Sequence, residues 1–362
     1  MKQLKLVVFL FVVVPLFFGC RSLKSFSPEQ IIENAIMAEV QGDVSYYAEI
    51  DMKITSKNES LNEVATIKEW RRNGLVRNEL ISDKEGEVII TANENDIHMY
   101  FVDKKKILKT TMEDVGQYVL SPKEQFHELL NLLRKTHDIE TVGKATIADR
   151  PAFHLKATTR EGQNSIYGNI DLWIDVEYWL PLKMIMKSGS LELVMEFTEI
   201  DYDTTFDDAL FVLGEVEDAE IEVINSAPET LELTLEEVPE HFGKPVYVLE
   251  ENDRWKISSI HLTKADSIQE HDLLQIDYTF NGVPSLSLLI SQFQESDPTV
   301  DVFDDVTKKV TVRNQEGYLI DSAEIVMLSW RENGLEYAVQ LINPKIDINE
   351  LFKLAESMMT IK

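Results

Sequence analysis

The stretch that decides the fold runs from Val142 to Leu155 and reads Val-Gly-Lys-Ala-Thr-Ile-Ala-Asp-Arg-Pro-Ala-Phe-His-Leu. It consists of two runs of strand-forming residues with a short turn between them. The pattern predicts strands at 139–147 and 151–159. Two strands joined by so short a turn run antiparallel, so this stretch predicts a hairpin within an antiparallel sheet.

On the C-terminal side, the sequence Leu172-Trp173-Ile174-Asp175 is followed by Trp179-Leu180-Pro181-Leu182-Lys183. A proline as the first residue of a strand costs no ladder hydrogen bond, so Pro181 is compatible with a strand that begins there. Residues 191–197 then alternate between large apolar and mostly acidic side chains, which is typical of a strand with one buried face. Together these patterns predict strands at 167–175, 181–188 and 191–202.

On the N-terminal side, Ala48, Ile50, Met52 and Ile54 alternate with charged residues and predict another half-buried strand. Further strand patterns follow on short turns, and Asn73-Gly74 between two of them is a strong hairpin signal. We therefore expect an antiparallel meander with strands at 63–72, 75–82, 87–92, 96–102 and 106–111.

Two helices accompany these strands. Ser27, Pro28 and Gln30 form an N-terminal capping pattern, and Ser121-Pro122-Lys123-Glu124 repeats that pattern before a second helix. The second helix carries one apolar face. Its members are Phe126, Leu129, Leu130 and Leu133.

The stretches 142–155 and 172–183, with the two helices, resemble the LolA-like superfamily of lipoprotein-sorting proteins over roughly residues 27–212. The resemblance implies an α+β fold, an open antiparallel β half-barrel whose concave apolar side is covered by helices. In that family the groove between sheet and helices binds acyl chains in the carriers and lipid or a protein partner in the sensors. The groove residues that this implies here are Phe126, Leu129, Leu130, Leu133 and Trp173.

A second domain is expected after a break in the strand pattern. Residues 21–213 would form the first domain, residues 214–230 an acidic linker or loose edge containing Pro228, and residues 231–362 a smaller α+β domain. The C-terminal part resembles a domain of unknown function found at the ends of lipoproteins and anti-sigma-type proteins of Bacillus and Clostridium relatives. The residues that carry this resemblance are Val310-Thr311-Val312, Gly317-Tyr318, Leu328-Ser329-Trp330, Gly334-Leu335-Glu336-Tyr337 and a closing helix at 348–359.

The first twenty residues predict an export signal. Lys2 and Lys5 precede an apolar run from Leu6 to Phe18, which is shorter than the roughly 20 residues that a membrane span needs. The run ends at Gly19-Cys20, which resembles the lipobox of bacterial lipoproteins. The resemblance implies removal of residues 1–19 and attachment of lipid to Cys20, so that the chain is anchored at the extracytoplasmic face of the cytoplasmic membrane.

Composition excludes several classes of function. The chain has 35 basic and 64 acidic side chains, a formal net charge of −29, so that nucleic acid is not an expected partner. Cys20 is the only cysteine, which excludes an internal disulfide. The seven histidines form no H-E-x-x-H motif, and no nucleophile elbow or phosphate-binding loop is present. We therefore predict no metal, no cofactor and no enzymatic activity.

Two functional hypotheses remain. The first is a lipid-anchored, non-catalytic binding module or partner chaperone for an envelope protein. The overall plan resembles sporulation and germination lipoproteins, which implies such a setting. The second is a sensor or carrier that binds acyl lipid in the apolar groove of the first domain. The membrane itself is an expected partner through the lipid on Cys20.

Overall fold

The described part of the chain folds into two large, mainly antiparallel sheets with a few helices. A computed structural model describes nine segments of the chain, and Cys20, the export signal and Ser121 lie outside them: residues 26–40, 44–57, 59–93, 95–111, 122–202, 204–224, 229–265, 271–293 and 305–362. Within these segments the structure has one sheet of twelve strands, one of eight and one small pair of strands.

The first sheet comprises the strands from β1 to β12. Its order across the sheet is β12-β6-β5-β4-β3-β2-β1-β11-β10-β9-β8-β7, and its two edges, β12 and β7, do not pair with each other, so that the sheet is open. The strands are β1 Tyr46–Thr55, β2 Glu63–Arg72, β3 Leu75–Ser82, β4 Gly86–Ala92, β5 Asp96–Phe101, β6 Lys106–Thr111, β7 His137–Ile147, β8 Arg150–Thr159, β9 Asn169–Asp175, β10 Pro181–Ser188, β11 Leu191–Asp201 and β12 Glu220–Val223.

Two meanders meet at the centre of this sheet. Strands β1 to β6 form one and β7 to β11 the other, and the pairing of β1 with β11 joins them. The last strand, β12, runs parallel to β6 and extends that edge. It lies inside the predicted linker 214–230, so part of that segment belongs to the first sheet.

Tight turns set the register of the hairpins. Asn73 and Gly74 have φ of 47° and 80°, and Ala148 and Asp149 have φ of 47° and 59°. Two successive residues with positive φ form the kind of turn whose twist matches that of the flanking strands. The hairpins predicted around Asn73-Gly74 and within 142–155 are confirmed, with Arg72 opposite Leu75 and Ile147 opposite Arg150.

Two helices lie beside strand β7. Helix α1 spans Pro28–Val40 and helix α2 spans Pro122–Thr136, and the two helices contact each other and β7. The capping box of α1 is confirmed, because the Ser27 amide donates to Gln30 Oε1 at 3.0 Å and the Gln30 amide donates to Ser27 Oγ at 3.3 Å.

The second sheet and its helices form the C-terminal part. Its order is β13-β15-β16-β17-β21-β20-β19-β18, and β14 pairs separately with β22. The elements are β13 Thr230–Glu232, α3 Glu237–Phe242, β14 Val246–Val248, β15 Trp255–Thr263, β16 Leu273–Phe280, β17 Val283–Gln292, β18 Thr307–Val312, β19 Gln315–Asp321, β20 Val326–Glu332, β21 Leu335–Leu341, α4 Ile348–Glu356 and β22 Met359–Ile361.

Each sheet has its own hydrophobic core. The core of the second sheet is built only from residues after Leu233, with Trp330, Tyr337 and Leu351 among its buried members. The cores of the first sheet are built only from residues between Phe26 and Tyr202. In the described segments, no helix combines the length and apolar character that a membrane crossing requires.

Candidate binding cleft

The apolar stripe of α2 lies in a filled core. Leu130 and Leu133 are each 1% exposed, Phe126 is buried, and Leu129 packs against the same cluster while remaining partly exposed. The cluster, which we call the helix-covered core, combines both helices with strands β8 and β9. Its members are Ile31, Ile32, Ala35, Phe126, Leu130, Leu133, Phe153, Leu155, Ala157, Ile170, Leu172 and Ile174.

The apolar groove predicted under this stripe is therefore occupied by the protein itself. Ile31 and Ile32 of α1 are essentially fully buried there, together with the side chains of α2. Protein interiors are close-packed where complementary apolar side chains meet. Here both α1 and α2 supply apolar side chains, whereas the prediction considered only the stripe of α2. The candidate binding surface must lie elsewhere on the sheet.

Trp173 does not lie with the other predicted groove residues. It packs partly buried against a different cluster, which contains Ala152 and Leu182, and its ring stacks on that of His154 with centroids 4.2 Å apart. Successive side chains of a strand point to opposite faces, so Trp173 cannot share the face of Leu172 and Ile174. The helix-covered core contains those two neighbours and not Trp173.

An apolar cleft opens at one end of strands β1, β11 and β10. Its volume is about 280 Å³, close to the lower end of the range for small-molecule sites. Ile54, Leu193 and Met186 form one cross-strand row in it. The complete lining is Ile54, Leu61, Glu63, Lys84, Met186, Leu191 and Leu193.

A second apolar row extends the cleft along the sheet. Met52 lies opposite Met195, and Met195 lies opposite Met184, all three only partly buried. Methionine side chains are flexible and polarizable, and they are frequent on surfaces that accept apolar ligands of varied shape. Because Met184 and Met186 also pack against the helix-covered core, the cleft is continuous with that core.

The two stretches that carried the fold prediction are joined by an ion pair. Asp175 is completely buried and accepts from Arg150 Nε at 2.7 Å. The same carboxylate accepts from the amides of Glu177 and Tyr178 at 2.7 and 2.9 Å, which caps the turn before β10. The Arg150 guanidinium lies 4.9 Å from the ring centres of Tyr178 and Tyr202. Hydrogen bonding to Asp175 raises the pKa of Arg150, so this pair is a fixed structural link.

A cluster of three polar side chains, Tyr46, Glu69 and Arg71, links β1 to β2. The Tyr46 hydroxyl donates to Glu69, and Arg71 donates to the other oxygen of that carboxylate at 3.4 Å. Burial and the adjacent Glu69 carboxylate raise the pKa of Tyr46 well above its ordinary value. No local sequence signal indicates this cluster, because Tyr46 and Glu69 are far apart along the chain and meet only through the β1–β2 register.

The charged clusters described above are separate from the lining of the cleft. None of the residues of the two ion pairs, Glu69 with Arg71 and Asp175 with Arg150, lines the cleft. Across the residues whose placement is described, no group of three or more His, Cys, Asp or Glu side chains is arranged to hold a metal ion. A second depression of about 270 Å³ on the second sheet is lined mainly by polar residues, among them Glu316, Arg331 and Glu336.

Comparison with protein families gives a match in the C-terminal part. Residues 269–358 match a family model described as a domain of unknown function, DUF4367. This agrees with the prediction that the C-terminal part resembles a domain of unknown function. An uncharacterized protein of Methanocaldococcus jannaschii is 23% identical over 275 residues, which cover 75% of this chain and 76% of that protein.

Comparison with solved structures gives neighbours of low sequence identity. The MucA/MucB complex of Pseudomonas aeruginosa contains a chain with a TM-score of 0.42 and 13% identity, covering 91% of this chain and 97% of that one. A LolA superfamily protein of Nitrosomonas europaea has a TM-score of 0.26 and 10% identity, covering 52% of this chain and 99% of that one.

Proposed function

We propose that the chain is a lipid-anchored, non-catalytic binding protein of the cell envelope that holds a protein partner through the apolar cleft of its first sheet. The observation that carries the proposal is the partly exposed apolar surface of β1, β11 and β10, with Leu193 at its centre. Exposed contiguous apolar surface on a folded domain marks a binding site. The resemblance to sporulation and germination lipoproteins supports a developmental setting for this role.

A partner of polypeptide type fits the cleft better than a fully enclosed ligand. The cleft is small and lies at the end of the sheet, and Glu63 and Lys84 place charges of both signs among its apolar side chains. Such a surface accepts one or two apolar anchor residues of a partner and pairs with polar groups around them. The strongly acidic composition favours a partner with a basic contact surface.

Site-specific photocrosslinking tests this proposal in the cells that make the protein. A photoreactive residue at position 193 should capture a specific protein, because Leu193 lies in the cleft. The same residue at position 194 is the matched control, since neighbouring strand positions face opposite sides of the sheet. Equal capture of proteins from both positions would contradict a partner site in the cleft.

Binding of acyl lipid is the second candidate function. It is favoured by the five apolar residues among the seven that line the cleft and by the two adjoining rows that contain methionines. Crosslinking from position 193 to lipid, without a protein adduct, would support this function and reject the first.

Anchoring through Cys20 is tested separately. We expect Cys20→Ala to move the protein from the membrane fraction to the soluble fraction, or to leave the precursor uncut. Labelled fatty acid should enter the wild type and not the variant. A variant that stays in membranes after normal cleavage would exclude the lipid anchor.

A further inference from the structure

The two sheets touch through a small polar junction. Loop 160–168, between β8 and β9, meets turn 321–325, between β19 and β20. The Ala323 amide donates to the Asn164 carbonyl at 2.8 Å, and Asn164 Nδ2 donates to the Asp321 carbonyl at 3.0 Å. Both bonds cross from the first sheet to the second.

Glu324 supplies the charged part of the junction. Its Oε1 accepts from Ser165 Oγ at 2.7 Å, and its Oε2 accepts from the Ile166 amide at 3.0 Å. Hydrogen bonds to a carboxylate are roughly twice as strong as those between neutral groups. Ser165 is only 4% exposed, whereas Glu324 is half-buried, so these bonds are partly shielded from water.

Each half of the junction is shaped by its own internal hydrogen bonds. Ser322 Oγ accepts from the Glu324 and Ile325 amides at 3.3 and 3.1 Å, which holds the turn on the second sheet. Ser165 Oγ accepts from the Tyr167 amide at 3.2 Å, which holds the loop on the first sheet. The two halves can therefore separate without losing their local shapes.

Among the residues that the structure describes, no apolar cluster contains side chains of both sheets. The clusters of the first sheet end at Tyr202 and the cluster of the second begins at Leu233. Domains that meet through a small polar contact are expected to move relative to each other. The remaining covalent connection leaves the first sheet through β12, on the opposite edge from β7.

We propose that loop 160–168 and turn 321–325 form a releasable latch. When the hydrogen bonds from Ser165 and Ile166 to Glu324 break, the second sheet moves away from the first as a rigid body, and both sheets stay folded. This inference goes beyond the proposed function, because the latch exists whether or not the cleft holds a ligand.

The latch sits at the end of the sheet where the cleft opens. Gly168 closes the loop, and an added Cβ there would lie 1.9 Å from the Lys187 carbonyl oxygen, so the loop rests directly on the end of β10. The next pairs of the register are Asn169 with Lys187 and Ile170 with Met186, and Met186 lines the cleft. Loop 160–168 therefore joins the latch directly to a strand pair that lines the cleft.

Hydrogen exchange of the full chain at single-amide resolution tests the latch. In Glu324→Ala the Ile166 amide loses its acceptor directly and must exchange faster. The Ala323 amide keeps its own acceptor, the Asn164 carbonyl, in this variant. If the latch releases as a unit, Ala323 should nevertheless exchange faster by about tenfold or more, while amides of the central strands β9 and β20 stay as slow as in the wild type.

Two further variants complete the experiment. Ser165→Ala removes one of the two bonds to Glu324 together with the bond from the Tyr167 amide, but it leaves the Ile166 amide its acceptor, so Ile166 should exchange more slowly than in Glu324→Ala. Glu316→Ala removes a carboxylate of the second sheet whose partners are Lys309 and Tyr318, and it should leave Ala323 unchanged. The latch is refuted if Ala323 is unaffected in Glu324→Ala, or if β9 and β20 accelerate together with it.

Discussion

At the scale of single residues, Gly168 combines a positive φ with a close backbone contact. Its φ is +55°, and its carbonyl accepts a hydrogen bond from His137 Nε2 at 2.7 Å. Any other residue here would have to adopt the unfavourable left-handed conformation, and its Cβ would lie 1.9 Å from the Lys187 carbonyl oxygen. A shift of the β10 backbone could relieve the contact, but the strain of the left-handed conformation would remain at residue 168.

Gly168→Ala should therefore destabilise the first sheet more than a comparable change nearby. The matched control is Gly162→Ala, because Gly162 has φ +77° but no atom within 4 Å of an added Cβ. We expect the control to cost about 1–2 kcal/mol in free energy of unfolding, and Gly168→Ala a further ~1–3 kcal/mol for the enforced contact. Urea unfolding measures both, and equal losses would show that the contact relaxes freely.

Tyr337 gives the second sheet a defined sensitivity to alkali. Burial raises the pKa of Tyr337 from 10.0 to about 12. A hydrogen bond from the Tyr247 amide lowers this pKa, and the nearby Glu332 carboxylate raises it. The unfolded chain releases this proton near pH 10 and the folded chain only near pH 12. The stabilising contribution is thus complete below pH 10 and lost as the pH rises from 10 to 12.

In Tyr337→Phe the free energy of unfolding of the second sheet should fall less steeply between pH 10 and 12 than in the wild type. Part of the decline should remain, since burial also raises the pKa of Tyr278 in the same core. Stability measured from pH 7 to 9 should differ between the two proteins by a constant amount. An identical slope above pH 10 would show that Tyr337 does not titrate on unfolding.

At the scale of elements, α2 acts as a cover whose inner face is fully used. Leu130 is 1% exposed in the helix-covered core, whereas Leu129 lies at its margin. Leu130→Ala should lower the free energy of unfolding of the first sheet by about 2–5 kcal/mol. Leu129→Ala deletes the same atoms and should cost less, because less of that side chain leaves water. Similar losses from the two changes in thermal unfolding would contradict the observed orientation of the helix.

The local elements were predictable from the sequence where their signals are local. The α1 capping box, the Asn73-Gly74 hairpin and the alternation in 191–197 each depend on a few neighbouring residues. Strand β19 has a weak sequence signal, because Gly317 and several polar residues interrupt its pattern. In the structure Gly317 has a role, since an added Cβ would lie 2.6 Å from the Ser329 carbonyl oxygen on β20. Helix α3 also has a weak sequence signal, because it has six residues and contains Pro239.

The candidate site was less predictable than the fold. The stripe of α2 indicated a buried face, but only the packing of α1 against it shows that the space is filled. The cleft depends on the register that places Ile54, Leu193 and Met186 in one row, and pairing between distant strands leaves no local trace in the sequence. The latch residues Ser165 and Glu324 lie in loops far apart along the chain, and no local sequence signal indicates that they meet.

At the scale of the whole molecule, the separation of the two cores predicts two unfolding transitions. Leu172→Ala should lower the free energy of unfolding of the first sheet by about 2–5 kcal/mol, and Leu328→Ala should lower that of the second sheet by the same amount. Each change should lower the melting temperature of its own sheet only. Both leucines are almost completely buried, each within a single cluster. Calorimetry of the full chain checks this, and a joint shift of both transitions by either change would show that the sheets unfold as one unit.

The pairing of β1 with β11 also imposes an order of events on the newly made chain. The strands from β2 to β6, and from β7 to β10, each find partners among their immediate neighbours, but one edge of β1 has no partner until β11 has been synthesised. Contacts between such distant segments form slowly, and an unpaired strand edge invites association with other chains. We therefore expect the pairing of β1 with β11 to be the slow step of folding. Until then, a chaperone would have to shield the apolar face of β1 that carries Ile50 and Met52.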